Sequence, residues 1–427
     1  VSRLFITGPW MGEIVDLEGR RDDLLDRIKE VGFAGIRVGV NPFTNDANPE
    51  FGNPETSRFV DFATAVRDKG LDLNVLIYPI TNLISAEWGT LYVGIPWSQD
   101  PTLPPPNVNR PPRGTSDAVW SNLRRQTQFL IDDIKSVWAS AASDRLTFEF
   151  ANEPACGGAF GLSEGVTTKI KTATTDDTRA IELGEVDYWF HELANYMLTG
   201  TGALDFGPHK LMSTTMVGLA DSGALAKQIA TFIFSDTNTA YQSEFDAWGF
   251  NVYPRLASSA QFPPIDQRWA TGRAVCAAEV QDRALAQIAR MRTAGVAKPL
   301  LIQETGVSAF LGGFLYWNGT GFANQFGRPF WYQEQGKYIG EGLSRLDGMG
   351  LQRIGVYTSV DDNNRGETGD AFANEGSYAL MRTSDTDTLE LRASWLTLGR
   401  DLGKNYQTNS FTWQVFSTNG ETIQPVE

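Results

Sequence analysis

Eight short apolar runs, each followed by a stretch with helical spacing, predict an α/β chain folded as a single (β/α)8 TIM barrel with long loops on the C-terminal face of its strands. Two further observations support this. Connections after helices are short, whereas several after strands are long. Two of the runs, Arg145-Leu-Thr-Phe-Glu-Phe-Ala-Asn-Glu-Pro154 and Lys298-Pro-Leu-Leu-Ile-Gln-Glu-Thr-Gly306, carry a glutamate where the strand should meet its rim. The chain, 1–427, reads as one domain whose 405–427 tail packs on the barrel.

The elements follow in order. Residues 4–7 make a first strand, and Leu24, Leu25, Ile28 and Val31 then recur at helical spacing until Gly32. The second strand spans 34–39 and its helix 54–69, ended by Gly70; the third strand spans 71–78. A helix over 117–139 leads into the fourth strand, where Leu146, Phe148 and Phe150 alternate up to Pro154. A helix over 185–198 sets Trp189, Leu193 and Met197 on one face. The fifth strand (210–214) is followed by a helix over 224–234, and the sixth (247–253) stops at Pro254. Helix 282–294 precedes the seventh strand, which ends at Glu304. Helix 330–346, strand 352–358 and helix 389–402 close the ring; residues 411–416 alternate like a strand on its outside. No repeat or low-complexity linker interrupts the series.

Composition narrows the chemistry. Hydrophobic residues at 41% supply ample core, and a net charge of −15 argues against nucleic acid as a partner and disfavours a highly anionic polymer. No apolar run of about 18 residues occurs, so no membrane span is expected. Two cysteines, Cys156 and Cys276, allow at most one disulfide and no zinc cluster. Of the two histidines, His191 falls inside an amphipathic helix and His209 in a turn before a strand. With no G-x-S-x-G turn, neither serves a serine hydrolase, so the chemistry rests on carboxylates and no cofactor or metal is implied. Asp361-Asp-Asn-Asn-Arg-Gly366 begins like a calcium loop, but Arg365 and Phe372 break the pattern. Asn318-Gly-Thr320 matches a glycosylation sequon of the kind that arises by chance. The chain opens at Val1 without a signal-peptide pattern, from which a processed or truncated product, secreted or extracellular, is expected.

Asn152-Glu153-Pro154 on the fourth strand and Glu304-Thr-Gly306 on the seventh resemble the corresponding strands of the clan A glycoside hydrolases. The resemblance implies a catalytic domain that cleaves β-glycosidic bonds in a polysaccharide or oligosaccharide with retention of configuration. Glu153 would be the acid/base and Glu304 the nucleophile. Two close carboxylates cannot both ionise cheaply, which separates their roles. Arg37 resembles the clan's strand-two arginine beneath the nucleophile, Tyr253 its strand-six tyrosine, and Asn152 the contact to the sugar 2-hydroxyl.

The sequence departs from that pattern in three places, one of them strand three, which ends in Tyr78 with no histidine nearby. Asn251 stands where many members have a histidine, and strand eight lacks the usual tryptophan, leaving Tyr357, Trp331 or Trp10 to floor the sugar site. The long segments 82–116 and 306–329 carry further rings, among them Trp97 and Trp317, that suit stacking on sugar faces or anchoring of the loops. These segments favour internal cleavage over an exo-acting β-glycosidase. A Schiff-base aldolase would need a lysine at a strand's C-terminal end, whereas Lys210 and Lys298 lie at strand beginnings. A non-catalytic carbohydrate-binding protein on a hydrolase scaffold would have little reason to keep both glutamates, Asn152, Arg37 and Tyr253 together.

Overall fold

Eight short strands each turn an apolar face to the helices and together close into a barrel. The structure is a computed structural model that describes residues 2–8, 20–40, 54–77, 117–152, 167–171, 176–180, 194–216, 240–254, 268–293, 295–307, 328–360, 379–383, 389–391 and 393–402. Strands β1 (Arg3–Thr7), β2 (Gly35–Val40), β3 (Asp72–Ile77) and β4 (Leu146–Phe150) come first, then a hairpin of β5 (Thr167–Lys171) and β6 (Asp176–Ala180). They are followed by β7 (Lys210–Met216), β8 (Ala247–Val252), β9 (Leu300–Thr305) and β10 (Arg353–Val356). β1 to β4 and β7 to β10 pair in parallel around a closed barrel, with β10 returning to β1.

Helices α1 (Arg21–Val31), α2 (Pro54–Asp68), α3 (Asp117–Trp138), α4 (Arg268–Thr293) and α5 (Arg328–Asp347) lie between barrel strands, and residues 194–198 are helical too. The start of α1 carries Asp22 and Asp23 and its last turn Lys29, each sign suited to the helix dipole. Gly32 closes it at φ 101°, a left-handed conformation that glycine adopts without steric cost.

Outward strand residues such as Ile36, Val38, Leu73, Val75, Phe148, Phe150, Trp248, Phe250 and Ile354 share one core with Leu24, Ile28, Phe62, Ile134, Trp138 and Leu346 of the helices. The strands are therefore buried on both faces, as parallel sheets require. The inward set differs in character: Arg37, Asn74, Thr147, Glu149, Asn251 and Arg353 are buried and polar. Charges in such a place are tolerated only when paired, and this demand builds the site.

Three local features depart from the expected elements. Residues 389–391 do not open the last helix: β11 (Met381–Thr383) and β12 (Leu389–Leu391) form an antiparallel hairpin, and α6 (Ala393–Asp401) begins after it. The period-two pattern of Leu389-Glu-Leu391, cross-paired with Met381-Arg-Thr383, prevails over continuation of the helix. Helix α4 starts at Arg268, well before residue 282, because Ala270, Ala274, Ala277 and Ala278 extend a good helix former upstream. The β5–β6 hairpin is the third.

The expected helix 224–234, residues 185–193 of the expected helix 185–198, and the tail 405–427 lie outside the described residues. Among the described residues no helix is long and apolar enough to cross a membrane.

Candidate active site

Arg37 organises the site. It is the third residue of β2, and Ile36 and Val38 on either side point to the helices, so the guanidinium turns into the barrel, where it is 2% exposed. Its Nε and Nη2 donate to Glu149 Oε2 and Oε1, both at 2.7 Å, a two-bond fork with the carboxylate of β4. Nη2 also donates to Asn152 Oδ1 at 3.0 Å, and Nη1 to Glu304 Oε1 in a short bond. One cation thus joins three residues from two further strands.

Glu304 reaches this position through a fault in the strand. Leu300 and Ile302 face the helices, so strict alternation would send Glu304 outward as well. The pairing of β9 shifts on both sides: Phe250 pairs with Ile302 but Asn251 with Glu304, and Ile354 pairs with Ile302 but Val356 with Thr305. The extra residue of this bulge re-aims the glutamate into the barrel. Its second oxygen accepts the Tyr253 hydroxyl at 2.8 Å. Tyr253 follows β8, and Arg283 of α4 donates to its carbonyl. Beyond β9, Gln335 of α5 donates to the Val307 carbonyl at 2.7 Å and fixes the strand exit.

β4 ends with a comparable device. Ala151 has φ 61°, uncommon for a residue with a side chain, and it brings Asn152 back to the interior two positions after Phe150. Asn152 Oδ1 accepts from Arg37 and from Asn251 Nδ2 at 3.2 Å, so its amide nitrogen must face away from both donors. Tyr357 stands edge-on to Tyr253, centroids 6.5 Å apart at 85°.

Below these groups the network continues. Asn74 Nδ2 donates to Glu149 at 2.7 Å, Thr147 Oγ1 donates to Asn74 Oδ1 at 2.7 Å, and Arg353 Nη2 donates to that hydroxyl at 3.2 Å. Arg353 lies over the Phe5 ring, 3.9 Å from its centroid. Burial depresses its pKa to about 10, with Glu149 and Asp72 opposing the shift. Asp72, at the strand starts, pairs with Arg3 and Arg145. Burial raises its carboxyl above the ordinary value of 3.8, with those arginines working the other way.

Of the residues singled out by sequence, Arg37, Asn152, Asn251, Tyr253 and Glu304 come together, with Tyr357 against Tyr253. Trp331 lies in the first turn of α5. Glu153, Trp10, Trp97 and Trp317 are outside the described residues, as is Cys156, while Cys276 lies on α4. Sequence reasoning missed Glu149, Asn74, Thr147 and Arg353. The signal was present in the residues between Leu146, Phe148 and Phe150, which share the face that Arg37 occupies. No cluster of three or more potential metal ligands occurs among the described residues.

Fold and site together define a (β/α)8 barrel with an arginine-held pair of glutamates in its C-terminal half. No protein-family model matches the sequence, and no curated protein does. Solved structures do resemble the chain. A variant of GH5_18 from Bifidobacterium longum subsp. longum ATCC 55813, in complex with Manb1-4GlcNAc, is 14% identical at a TM-score of 0.52, covering 95% of this chain and 79% of that one. GH5_18 from Streptomyces cattleya, in complex with GlcNAc, is 12% identical at 0.51, covering 96% and 82%. A GH1 beta-glucosidase from Exiguobacterium antarcticum B7 is 14% identical at 0.52, covering 91% and 87%. At these identities the likeness shows a shared barrel fold.

Proposed function

We propose that the chain is a retaining glycoside hydrolase of clan A type that cleaves β-glycosidic bonds within a polysaccharide or oligosaccharide. The observation that carries this reading is Glu304: a buried carboxylate near the C-terminal end of β9, gripped by Arg37 on one oxygen and Tyr253 on the other. A donor on each oxygen fixes the carboxylate as a nucleophile needs. Fixed orientation also lowers the entropy cost of attack.

In the first step Glu304 attacks the anomeric carbon and the bond to the leaving oxygen breaks. Glu153, which follows Asn152 directly in the chain, gives that oxygen its proton. In the second step Glu153 takes a proton from water, the water oxygen attacks the anomeric carbon, and Glu304 leaves as carboxylate. Asn152, its oxygen committed to Arg37 and Asn251, presents its amide nitrogen to the sugar 2-hydroxyl, a contact that tightens in the oxocarbenium-like transition state. Tyr357 is the candidate floor of the sugar site, and the aromatic residues in the sequence segments 82–116 and 306–329 favour internal cleavage. The protein acts outside the cell in this reading.

The test is a reducing-sugar assay of wild type and Glu304→Gln over a panel of β-linked polysaccharides and oligosaccharides, with product masses. Hydrolysis by wild type alone supports the reading, and a ladder of product sizes separates internal from terminal cleavage. Sugar binding without hydrolysis by wild type would favour a non-catalytic role.

A further inference from the structure

Glu149 is wholly buried, and the two-step reaction above gives it no task. Its geometry does. Arg37 has five N–H groups in a rigid plane, and Glu149 engages it through Nε and Nη2. That fork decides which way Nη1 points, and Nη1 is the group that reaches Glu304. Glu149 is in turn fixed by Asn74, Asn74 by Thr147, and Thr147 accepts from Arg353, so a chain of bonds runs from the lower barrel to Glu304.

Charge leads the same way. An arginine facing Glu304 alone would stabilise the resting carboxylate strongly, yet in the transition state that negative charge is being consumed. Stabilising the ground state more than the transition state slows the reaction. A second carboxylate on the opposite edge of the guanidinium divides its charge. The other charged or titratable groups facing this cluster, among the described residues, are Asp72 of β3 with its partners Arg3 and Arg145, Arg353 of β10, and Tyr253 and Tyr357.

We propose that Glu149 is a positioning residue for the reaction argued above: it fixes the plane of Arg37 and shares its charge, and so sets how tightly the nucleophile Glu304 is held. The inference rests on the glycosidase reading, and its test separates the two. In Glu149→Gln, of equal size but uncharged, kcat on p-nitrophenyl β-glycosides falls about tenfold to a hundredfold while KM stays within about threefold. The acid limb of kcat/KM moves to lower pH, because the site then carries one negative charge fewer. Glu149→Asp keeps the charge, so its limb stays near that of wild type although its rate falls. A residue that only packs would lower Tm and leave the limb in place.

Nitrogen NMR of the Arg37 guanidinium, assigned by its loss in Arg37→Lys, gives a readout free of turnover. Separate Nη signals in wild type merge when Glu149 no longer blocks rotation. Should Glu149→Gln fail to fold, Glu149→Asp carries the test, with reduced kcat and faster Nη exchange expected; wild-type values for both overturn the proposal. An active wild type whose limb and Arg37 signals are unchanged by Glu149→Gln also overturns it, and leaves the glycosidase reading standing. A wild type inactive on every glycoside, with Arg37 released in the variant, overturns the catalytic role of Glu149 through failure of the reading it rests on.

Discussion

Tyr253 donates its hydroxyl to Glu304 Oε2 at 2.8 Å from the end of one strand to the next, while Arg37 takes the other oxygen. The carboxylate is thereby held at both ends by groups from β2 and from the residues after β8. Removing only the hydroxyl isolates one of these holds. Tyr253→Phe should lower kcat about tenfold to a hundredfold with a smaller change in KM, since the nucleophile loses one of the two donors that fix it for attack. Initial rates over a range of substrate concentrations separate kcat from KM. An unchanged kcat would mean that the hydroxyl does not hold the nucleophile for attack.

Arg37→Lys tests the fork itself. An ammonium cannot present the planar pair of donors that Glu149 accepts, so two buried carboxylates would be left short of partners. Breaking a buried pair costs about 3–5 kcal/mol. Urea unfolding should show a lower midpoint with an unchanged slope. A loss below about 1 kcal/mol would mean that the network contributes little to the fold.

The bulge in β9 depends on close packing by glycine. A Cβ at Gly355 of β10 would run into the Gln303 carbonyl oxygen, next to the point where Glu304 is turned inward. Gly355→Ala should therefore cost about 1–3 kcal/mol or more and reduce activity beyond what lost stability explains. Gly342→Ala on α5 is the control: no atom lies within 4 Å of the added carbon, so it should gain about 0.5–1 kcal/mol in the helix. Thermal melts and kcat of the two variants make the comparison.

Asp72 gives a pH effect of defined sign. Burial raises its folded-state pKa above the ordinary 3.8, so the folded protein binds that proton more tightly than the unfolded chain. The stability this contributes is complete below about pH 3.8 and lost as pH rises through the folded-state value. Asp72→Asn cannot titrate, so stability of wild type relative to the variant should decline with rising pH across that window. Melting both proteins from pH 3 to 6, roughly the carboxylate range, measures it; a constant difference would contradict the burial argument.

Much of this architecture is written in local pattern. Apolar alternation places Ile36, Phe148 and Phe250 under the helices, and the same alternation commits Arg37 to the interior. The Leu24–Val31 spacing with Gly32 behind it specifies α1 nearly to the residue. Periodicity is a short-range property, set by which face of an element must leave water, so a single chain segment carries it. The hairpin at 381–391 escaped that reading because three residues are too few to tell strand from the first turn of a helix.

Sequence by itself determined the eightfold alternation of strands and helices, the barrel that follows from it, and the residue types available at the strand ends. Tertiary structure decided which of them meet. Alternation alone would aim Glu304 at the helices; the bulge against β8 and β10 turns it inward, and Ala151 at φ 61° does the like for Asn152. Glu149 became part of the site only when closure of the barrel set it opposite Arg37, 112 residues earlier in the chain. A buried cation is stable only when carboxylates reach it. Which carboxylates do so depends on register between strands far apart in sequence, a relation that exists only once the ring has closed.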